Sequence, residues 1–468
     1  MDQSEKPGGR TRNDLTSGGI LNKLLLVALP IMGTQLIQMS YNLTDMFWLG
    51  RLSTGAVAAS GTSGMLMWLS MALMMVGRMG AEIGVSQHLG MGDPQTARRY
   101  SENSVMTAFA LGAAYGLAMI VFRRQLVRFF NIQEPEVVAM AESYLALVGI
   151  GIPFSFVTSA LVGTFNAAGN SRVPFMVNAT GLAINMILDP IMIFPMKMNL
   201  AGAAAATVIA QVASCSMLMY LTLRGKRRPF ERYHALSKPD LKILKRIVKW
   251  AAPICAESAF FTFTSMLTSR MVSPFGEIAL AVSRVGSQIE SLTWLIGGGF
   301  STALVSFMGQ NYGAGKWTRI RRGFNISIWT MTIYGIAVTA LLLTAGGALF
   351  WVFLPDSEVM DLGVMFMRVL AFCQLPQCLE AVSSGTFRGT GRTLPGSTVS
   401  VLTNILRVAL AAVGVRIWGV VGVWGAISLT AALRGFASLT WYLIEARKQP
   451  ARDVPPITSR PGEAVPAD

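Results

Sequence analysis

Twelve apolar stretches recur along this chain, near positions 21–49, 55–82, 102–122, 137–160, 174–195, 200–223, 243–273, 279–310, 323–354, 359–385, 395–415 and 420–445. A helix rises about 1.5 Å per residue and the hydrocarbon core of a bilayer is about 30 Å thick, so each stretch can cross once. In lipid the backbone has no water to bond, and helices satisfy their own peptide groups. Runs of this length and number exclude a soluble globular fold and a disordered chain. Composition agrees, with 52% hydrophobic and only 13% charged residues among 468, about half the charge of an ordinary soluble domain. The four cysteines, Cys215, Cys255, Cys373 and Cys378, all lie within apolar stretches, which argues against a disulfide scaffold. Residues 1–20 are polar, with no cleavable signal pattern, so the first span is expected to insert and stay.

The charge is +15, from 39 Lys and Arg against 24 Asp and Glu. In a soluble protein that excess would suggest nucleic acid; here it sorts by side of the membrane. With a cytoplasmic N-terminus, twenty-seven cations fall on the inner side and six on the outer, and six more lie within or at the ends of spans. Cations collect on the cytoplasmic face of membrane proteins, so both termini are expected inside a cell (inner) membrane. The cluster Arg123, Arg124, Arg128 is the one outer loop that argues the other way. The expected surroundings are a lipid bilayer and small molecules, not nucleic acid, with the chain acting as a monomer.

The chain repeats itself. A shift of 223 positions carries Pro30 onto Pro253, Gln87 onto Gln310, Gly90 and Gly92 onto Gly313 and Gly315, Arg98 and Arg99 onto Arg321 and Arg322, and Pro153 onto Pro376. A shift of 222 carries Gly163-Thr164-Phe165 and Gly169 onto Gly385-Thr386-Phe387 and Gly391. Six spans per repeat is an even number, so the halves run parallel, an architecture found in alternating-access transporters. The expected layout is a cytoplasmic segment 1–20, a first lobe 21–223, a basic cytoplasmic linker 224–246, a second lobe 247–445 and a disordered tail 446–468.

No phosphate loop drives this chain: Gly313-Ala314-Gly315-Lys316-Trp317 lacks the required spacing and hydroxyl. His88 and His234 are isolated, and no nucleophile–base set is apparent, so an enzyme and a bound cofactor are not expected; an ion gradient is the energy source. Ionisable groups inside a bilayer are costly and mark function. Asp45 lies in the first span. Asn185 and Asp189, four apart on one helix face, lie in the fifth. Pro190 lacks an N–H, which frees the carbonyl of Met186. Asp45, Asp189 and Thr207 fall at about the same depth by helical rise. Two carboxylates with amide, hydroxyl and carbonyl oxygens suit either a hard cation such as Na⁺ or a shared proton; the alternative is separate polar contacts between helices. Glu257 and Glu380 lie in the inner half of the second lobe. Their repeat counterparts are the neutral Thr34 and Val157, and they form a second ion or substrate site, pair with Arg407, or face water. Arg78 with Glu82 reads as a structural ion pair, and Arg284 with Glu290 as part of a helix interface.

Together these motifs resemble the multidrug and toxic compound extrusion (MATE) transporters of prokaryotes, over about residues 20–445. The carriers are Pro30, Tyr41-Asn42-Leu43-Thr44-Asp45, Gly50, the paired Gln/Gly loops, Gly163–Gly169, Asn185 with Asp189-Pro190, and Gly385–Gly391. The resemblance implies an all-α membrane protein with twelve helices in two six-helix bundles, exporting lipophilic organic cations in exchange for Na⁺ or H⁺. It further implies that Asp45, Asn185, Asp189 and Thr207 form the cation or proton site, as in DinF-type members, and that helix one bends near Pro30. The second lobe departs from the NorM-type pattern: Glu257 lies about one turn nearer its proline, and Glu380 matches only approximately. A lipid-linked saccharide flippase of the same superfamily is disfavoured by twelve spans and acidic lobes, and an ion channel by the broken parallel repeats.

Overall fold

The computed structural model describes residues 14–129, 134–226, 228–234, 237–353 and 357–456, and leaves aside some side chains within helices, mostly in the first two, Asp45 among them. Among the described residues thirteen α-helices follow one another: α1 (Ile20–Leu52), α2 (Thr54–Gly90), α3 (Pro94–Val121), α4 (Arg123–Phe129), α5 (Pro135–Ala167), α6 (Arg172–Ile193), α7 (Asn199–Arg224), α8 (Leu241–Val272), α9 (Gly276–Gly313), α10 (Trp317–Phe353), α11 (Ser357–Gly389), α12 (Leu394–Trp418) and α13 (Val420–Lys448). The described residues contain no strand. All but the seven-residue α4 coincide with the twelve apolar stretches. Among the described residues, ten helical segments are long and apolar enough to cross a bilayer, the one over Leu241–Gly313 containing both α8 and α9. The fold is that of an all-α, multi-pass membrane protein.

The repeated glycines explain where helices stop. Gly92, Gly315, Gly169 and Gly391 all have positive φ, between 68° and 80°. After α2, Asp93 N–H donates to the His88 carbonyl at 2.9 Å; after α9, α5 and α11 the same i→i−5 bond recurs from Lys316 to Asn311, Asn170 to Phe165 and Arg392 to Phe387, each 2.9 Å. This is the Schellman stop, which needs a left-handed residue that glycine adopts without a Cβ penalty. Helix α2 therefore runs to Gly90, beyond its apolar stretch, and α3 restarts at once: Asp93 Oδ1 accepts from Thr96 N–H at 2.9 Å, with Pro94 in the first turn.

The chain forms two compact units. Unit 1 holds Met1–Gly18 and Ile37–Ile247; unit 2 holds Gly19–Leu36 and Val248–Asp468. The sequence boundary placed all of helix one in the first lobe, whereas its N-terminal half clusters with unit 2. There Met32 meets Gly299, whose missing Cβ would stand 2.7 Å from the Met32 Cγ. In unit 1, α2, α3 and α5 touch through small residues. A Cβ on Gly116 would lie 2.2 Å from the Gly149 carbonyl, and one on Gly77 would lie 2.7 Å from the Ala108 Cβ. In unit 2, Gly435 on α13 lets the Pro376 carbonyl of α11 approach to 2.1 Å of the absent Cβ. In lipid, where apolar surface gains little by leaving solvent, such close packing is what holds helices together.

The repeat also fixes how the chain leaves each six-helix set. Arg98 Nη1 donates to the Arg232 carbonyl at 3.5 Å. Its repeat mate Arg321 donates to the carbonyls of Gln449 at 2.9 Å, Pro450 at 2.8 Å and Ala451 at 3.2 Å. The linker is tied down further by His234 N–H to Glu102 Oε1 and Asp240 N–H to Asn103 Oδ1, both 2.8 Å. The tail is held by Asp453, whose Oδ1 accepts from the backbone and hydroxyl of Thr318 at 2.9 and 2.6 Å. Those bonds hold the Asp453 carboxyl below the usual carboxylate range. The described part of the tail, to residue 456, is thus strapped to the α9–α10 turn, where Val454 N–H donates to the Gly315 carbonyl at 3.0 Å; this corrects the expectation of disorder for that segment.

The α4 cluster also has local partners. Arg123 Nη1 donates to the Ile120 carbonyl at 2.8 Å, which satisfies an orphan carbonyl at the end of α3, and Arg124 Nε lies 3.8 Å from Glu142 Oε2.

Candidate functional site

In unit 1, Asn185 and Asp189 are both fully buried in α6. One turn apart, they meet: Asn185 Nδ2 donates to Asp189 Oδ1 at 3.0 Å. Asn185 Oδ1 is buried and has no hydrogen-bond partner among the described residues. Helix α7 lies antiparallel against α6. Its register is set where a Cβ on Gly181 would meet Ser214 Oγ at 2.2 Å, and where one on Gly202 would meet the Met192 backbone at 2.7 Å. Between those two approaches, Asp189 is level with Ala205 and Ala206, within a residue or two of Thr207. Thr207, buried, accepts a hydrogen bond from Tyr41 Oη at 2.8 Å, which ties α1 to α7 at the same level. Asp45 lies one helical turn beyond Tyr41 on α1, and its side chain is outside the described residues. The structure thus brings Asn185 to Asp189, and Tyr41 to Thr207, at one depth. Tyr41 was the partner that sequence reasoning missed, although its position four residues before Asp45 put both on one helix face.

Beside these residues opens a cleft of about 350 Å³ lined by Thr44, Phe47, Trp48 and Met186. Trp48 sits edge-on to Phe47 at 5.1 Å and to Phe194 at 6.1 Å. The polar donors here are carboxylate, amide and hydroxyl oxygens. That set suits a hard monovalent cation or a proton and lacks the soft ligands a transition metal prefers.

Pro30 lies inside α1, and Thr34 Oγ1 donates to its carbonyl at 3.0 Å. Pro253 occupies the equivalent place inside α8. Both helices are divided between the two units, α1 after Leu36 and α8 after Ile247.

The second-lobe acids have their own partners. Glu257 Oε2 is 3.2 Å from Arg388 Nη2 and accepts from Ser397 Oγ at 3.0 Å. Glu380 Oε2 is 3.4 Å from Arg434 Nε. Arg407, weighed as a partner for these acids, instead donates through Nε to Thr430 Oγ1 at 3.3 Å. Glu290 accepts from Gln377 Nε2 at 2.8 Å, with Arg407 and Arg434 in electrostatic reach. Of Arg284 and Glu290, read as part of a helix interface, only Glu290 faces a neighbouring helix in that way, through Gln377 of α11; Arg284 is exposed. The local pair does form, Arg78 Nε standing 2.9 Å from Glu82 Oε1. Gln377 and Arg434 carried no signal in the sequence, because their partners depend on helix rotation rather than spacing.

One family model matches the chain twice, over residues 30–191 and 253–413, starting each time at a repeated proline. The chain belongs to the MatE family. Its members are transporters rather than enzymes. Among its relatives, a probable multidrug resistance protein NorM of Thermotoga maritima is 25% identical over 91% of this chain and 92% of its own length. The multidrug export protein MepA of Staphylococcus aureus is 21% identical over 92% of this chain and 95% of its own. A crystal structure of MATE in the straight conformation superposes with a TM-score of 0.88, at 19% identity, over 94% of this chain and 99% of that one; at that identity the likeness shows the fold. The MatE match and the fold agree with the reading of the motifs.

Proposed function

We propose that this MatE-family chain is a multidrug efflux antiporter that exports lipophilic organic cations in exchange for Na⁺ or H⁺ by alternating access, with both termini cytoplasmic. The observation that carries the reading is the fully buried Asn185–Asp189 pair in a helix that has no Lys or Arg after Arg172. A carboxylate at membrane depth is costly and marks function, and Asn185 Oδ1 beside it is a buried oxygen with no hydrogen-bond partner among the described residues, a ligand for an incoming cation. The names of the relatives support the substrate class: NorM and MepA are described as multidrug resistance or export proteins.

In this reading Asp45, Asn185, Asp189 and Thr207 receive the incoming ion. Asn185 Nδ2 stabilises the ionised carboxylate, Asn185 Oδ1 offers an oxygen ligand, and Tyr41 holds Thr207 in place. An ion can shift a conformational equilibrium only by its difference in affinity for the two states. Occupancy of this site biases the outward transition, and Pro30, whose missing N–H weakens α1, is where that helix bends. Binding at Asp189 and drug release are then coupled and reciprocal. The test is ethidium or norfloxacin efflux from cells expressing Asp45→Asn or Asp189→Asn at matched protein levels. Loss of gradient-driven efflux in both is expected; wild-type efflux in either removes that residue from the coupling site.

A further inference from the structure

Helix α12 occupies in unit 2 the place that α6 occupies in unit 1. The shift that carries Gly163–Gly169 onto Gly385–Gly391 carries Asn185 onto Arg407. Helix α12 contains no Asp or Glu; its buried mid-span polar residues include Asn404 and Arg407, one turn apart, where α6 has Asn185 and Asp189. A carboxylate in one repeat is thus replaced, within about a turn, by a guanidinium in the other.

That guanidinium is held on several sides. Arg407 is 6% exposed, donates to Thr430 on α13 at 3.3 Å, lies 5.7 Å over the Phe261 ring of α8 and acts electrostatically on Glu290 of α9. Gly414 against Gly422 and Arg407 against Thr430 fix the antiparallel register of α12 and α13. That register sets Asn404 across from Arg434, which pairs with Glu380 of α11. Glu290 and Glu380 with Arg407 and Arg434 therefore gather two carboxyl groups and two guanidiniums from α9, α11, α12 and α13. Its contrast with unit 1 is plain in the sequence. Residues 37–50 of α1, 173–193 of α6 and 199–223 of α7 include Asp45 and Asp189 but no Lys or Arg.

We propose that Arg407 is a built-in counter-cation: tethered to α12, it holds the place in unit 2 that the coupling ion takes in unit 1, so the carboxylates of unit 2 take up no ion during transport. The inference rests on the unit 1 coupling reading. A buried charge in a low-dielectric setting must be paired, and an arginine that never deprotonates is a permanent partner. Facing Glu290 are Gln377 and Cys373 from α11, Arg407 from α12 and Arg434 from α13. Removing Arg407 leaves the group one positive charge short, and a cation from solution then makes up the difference.

The test uses the full-length protein in proteoliposomes at zero membrane potential, reading equilibrium ethidium accumulation against an imposed pH or Na⁺ gradient. The slope of log accumulation against log gradient counts coupling ions. Arg407→Met is expected to raise that slope by one, so that a tenfold gradient gives tenfold more accumulation than in wild type. Arg407→Lys, which keeps the charge, is expected to leave it unchanged. Glu290→Gln with Arg407 intact is expected to leave the slope unchanged even where the rate falls. An unchanged slope in a transporting Arg407→Met variant, or a slope lowered by one in Glu290→Gln, overturns the proposal. If Arg407→Met does not fold, the Glu290→Gln slope decides alone. Asp189→Asn in the same assay separates the two ideas, since a wild-type slope there defeats the unit 1 reading whatever the unit 2 variants do.

Discussion

Replacing Asn185 by leucine keeps the size of a fully buried side chain and removes one donor and one acceptor from the site. The donor is the Nδ2 bond to Asp189 Oδ1 at 3.0 Å. A hydrogen bond to a charged group contributes about 1.5–3 kcal/mol, or about a 10- to 150-fold change in the balance between the ionised carboxylate and its neutral form. The direction of the effect depends on the ion. If H⁺ couples, Asn185→Leu favours the protonated acid, and the half-saturating proton concentration for efflux falls by that factor. If Na⁺ couples, the variant loses both carboxylate support and the Oδ1 ligand, and the half-saturating Na⁺ concentration rises by at least as much. The assay is initial-rate ethidium efflux from proteoliposomes titrated separately with Na⁺ and H⁺. One arm should shift by tenfold or more, and which arm moves names the ion. Half-saturation within twofold of wild type in both arms would refute the claim that Asn185 supports the ion-binding carboxylate.

Other consequences follow from contacts elsewhere. Tyr41→Phe deletes the bond to Thr207, a neutral pair contributing about 0.5–1.5 kcal/mol, and should weaken apparent ion affinity by about two- to thirteenfold in the same titration. Gly435→Ala drives a methyl into the Pro376 carbonyl at 2.1 Å; overpacking of this kind costs about 1–3 kcal/mol and should lower the thermal midpoint of the detergent-purified protein. His88 is buried against Tyr100 at 4.6 Å, and burial holds its pKa below the ordinary histidine value, with Arg246 adding to the effect. Because the unfolded chain then binds the proton more readily, this contribution is complete above about pH 6.5 and is lost as pH falls. Thermal midpoints of wild type should therefore drop between pH 7.5 and 5.5 by more than those of His88→Gln. Asp453→Ala removes both bonds to Thr318 and should speed tryptic cleavage at Arg452 severalfold, monitored by mass spectrometry.

What was legible in the sequence was whatever a single helix or the repeat determines. Apolar length located the spans, and the matched glycines marked four helix stops that share one hydrogen-bond pattern. Arg78 with Glu82 and Asn185 with Asp189 are four apart, so helical geometry alone put them together. What crosses between helices was not legible. Glu257 finds Arg388 rather than Arg407, and Glu380 finds Arg434, because the rotation of α8, α11 and α13 about their axes leaves no periodic trace in the sequence. Tyr41 and Thr207 are 166 residues apart, and their bond depends on how α1 packs on α7. The short α4 was missed for a different reason: seven residues with three arginines carry neither the length nor the apolar run that identified the other helices. The α1 boundary was misplaced because a helix that serves two units reads, residue by residue, like any other span.

In the proposed mechanism a buried carboxylate in unit 1 couples drug export to a cation gradient. The most direct measurement is ethidium accumulation in proteoliposomes under an imposed Na⁺ gradient, with and without a proton gradient, for wild type and Asp189→Asn side by side. Wild type is expected to concentrate the drug only when one of the two gradients is present, and Asp189→Asn to reach no more than equilibration under either. Accumulation by Asp189→Asn equal to wild type, or accumulation by wild type with both gradients absent, would contradict it.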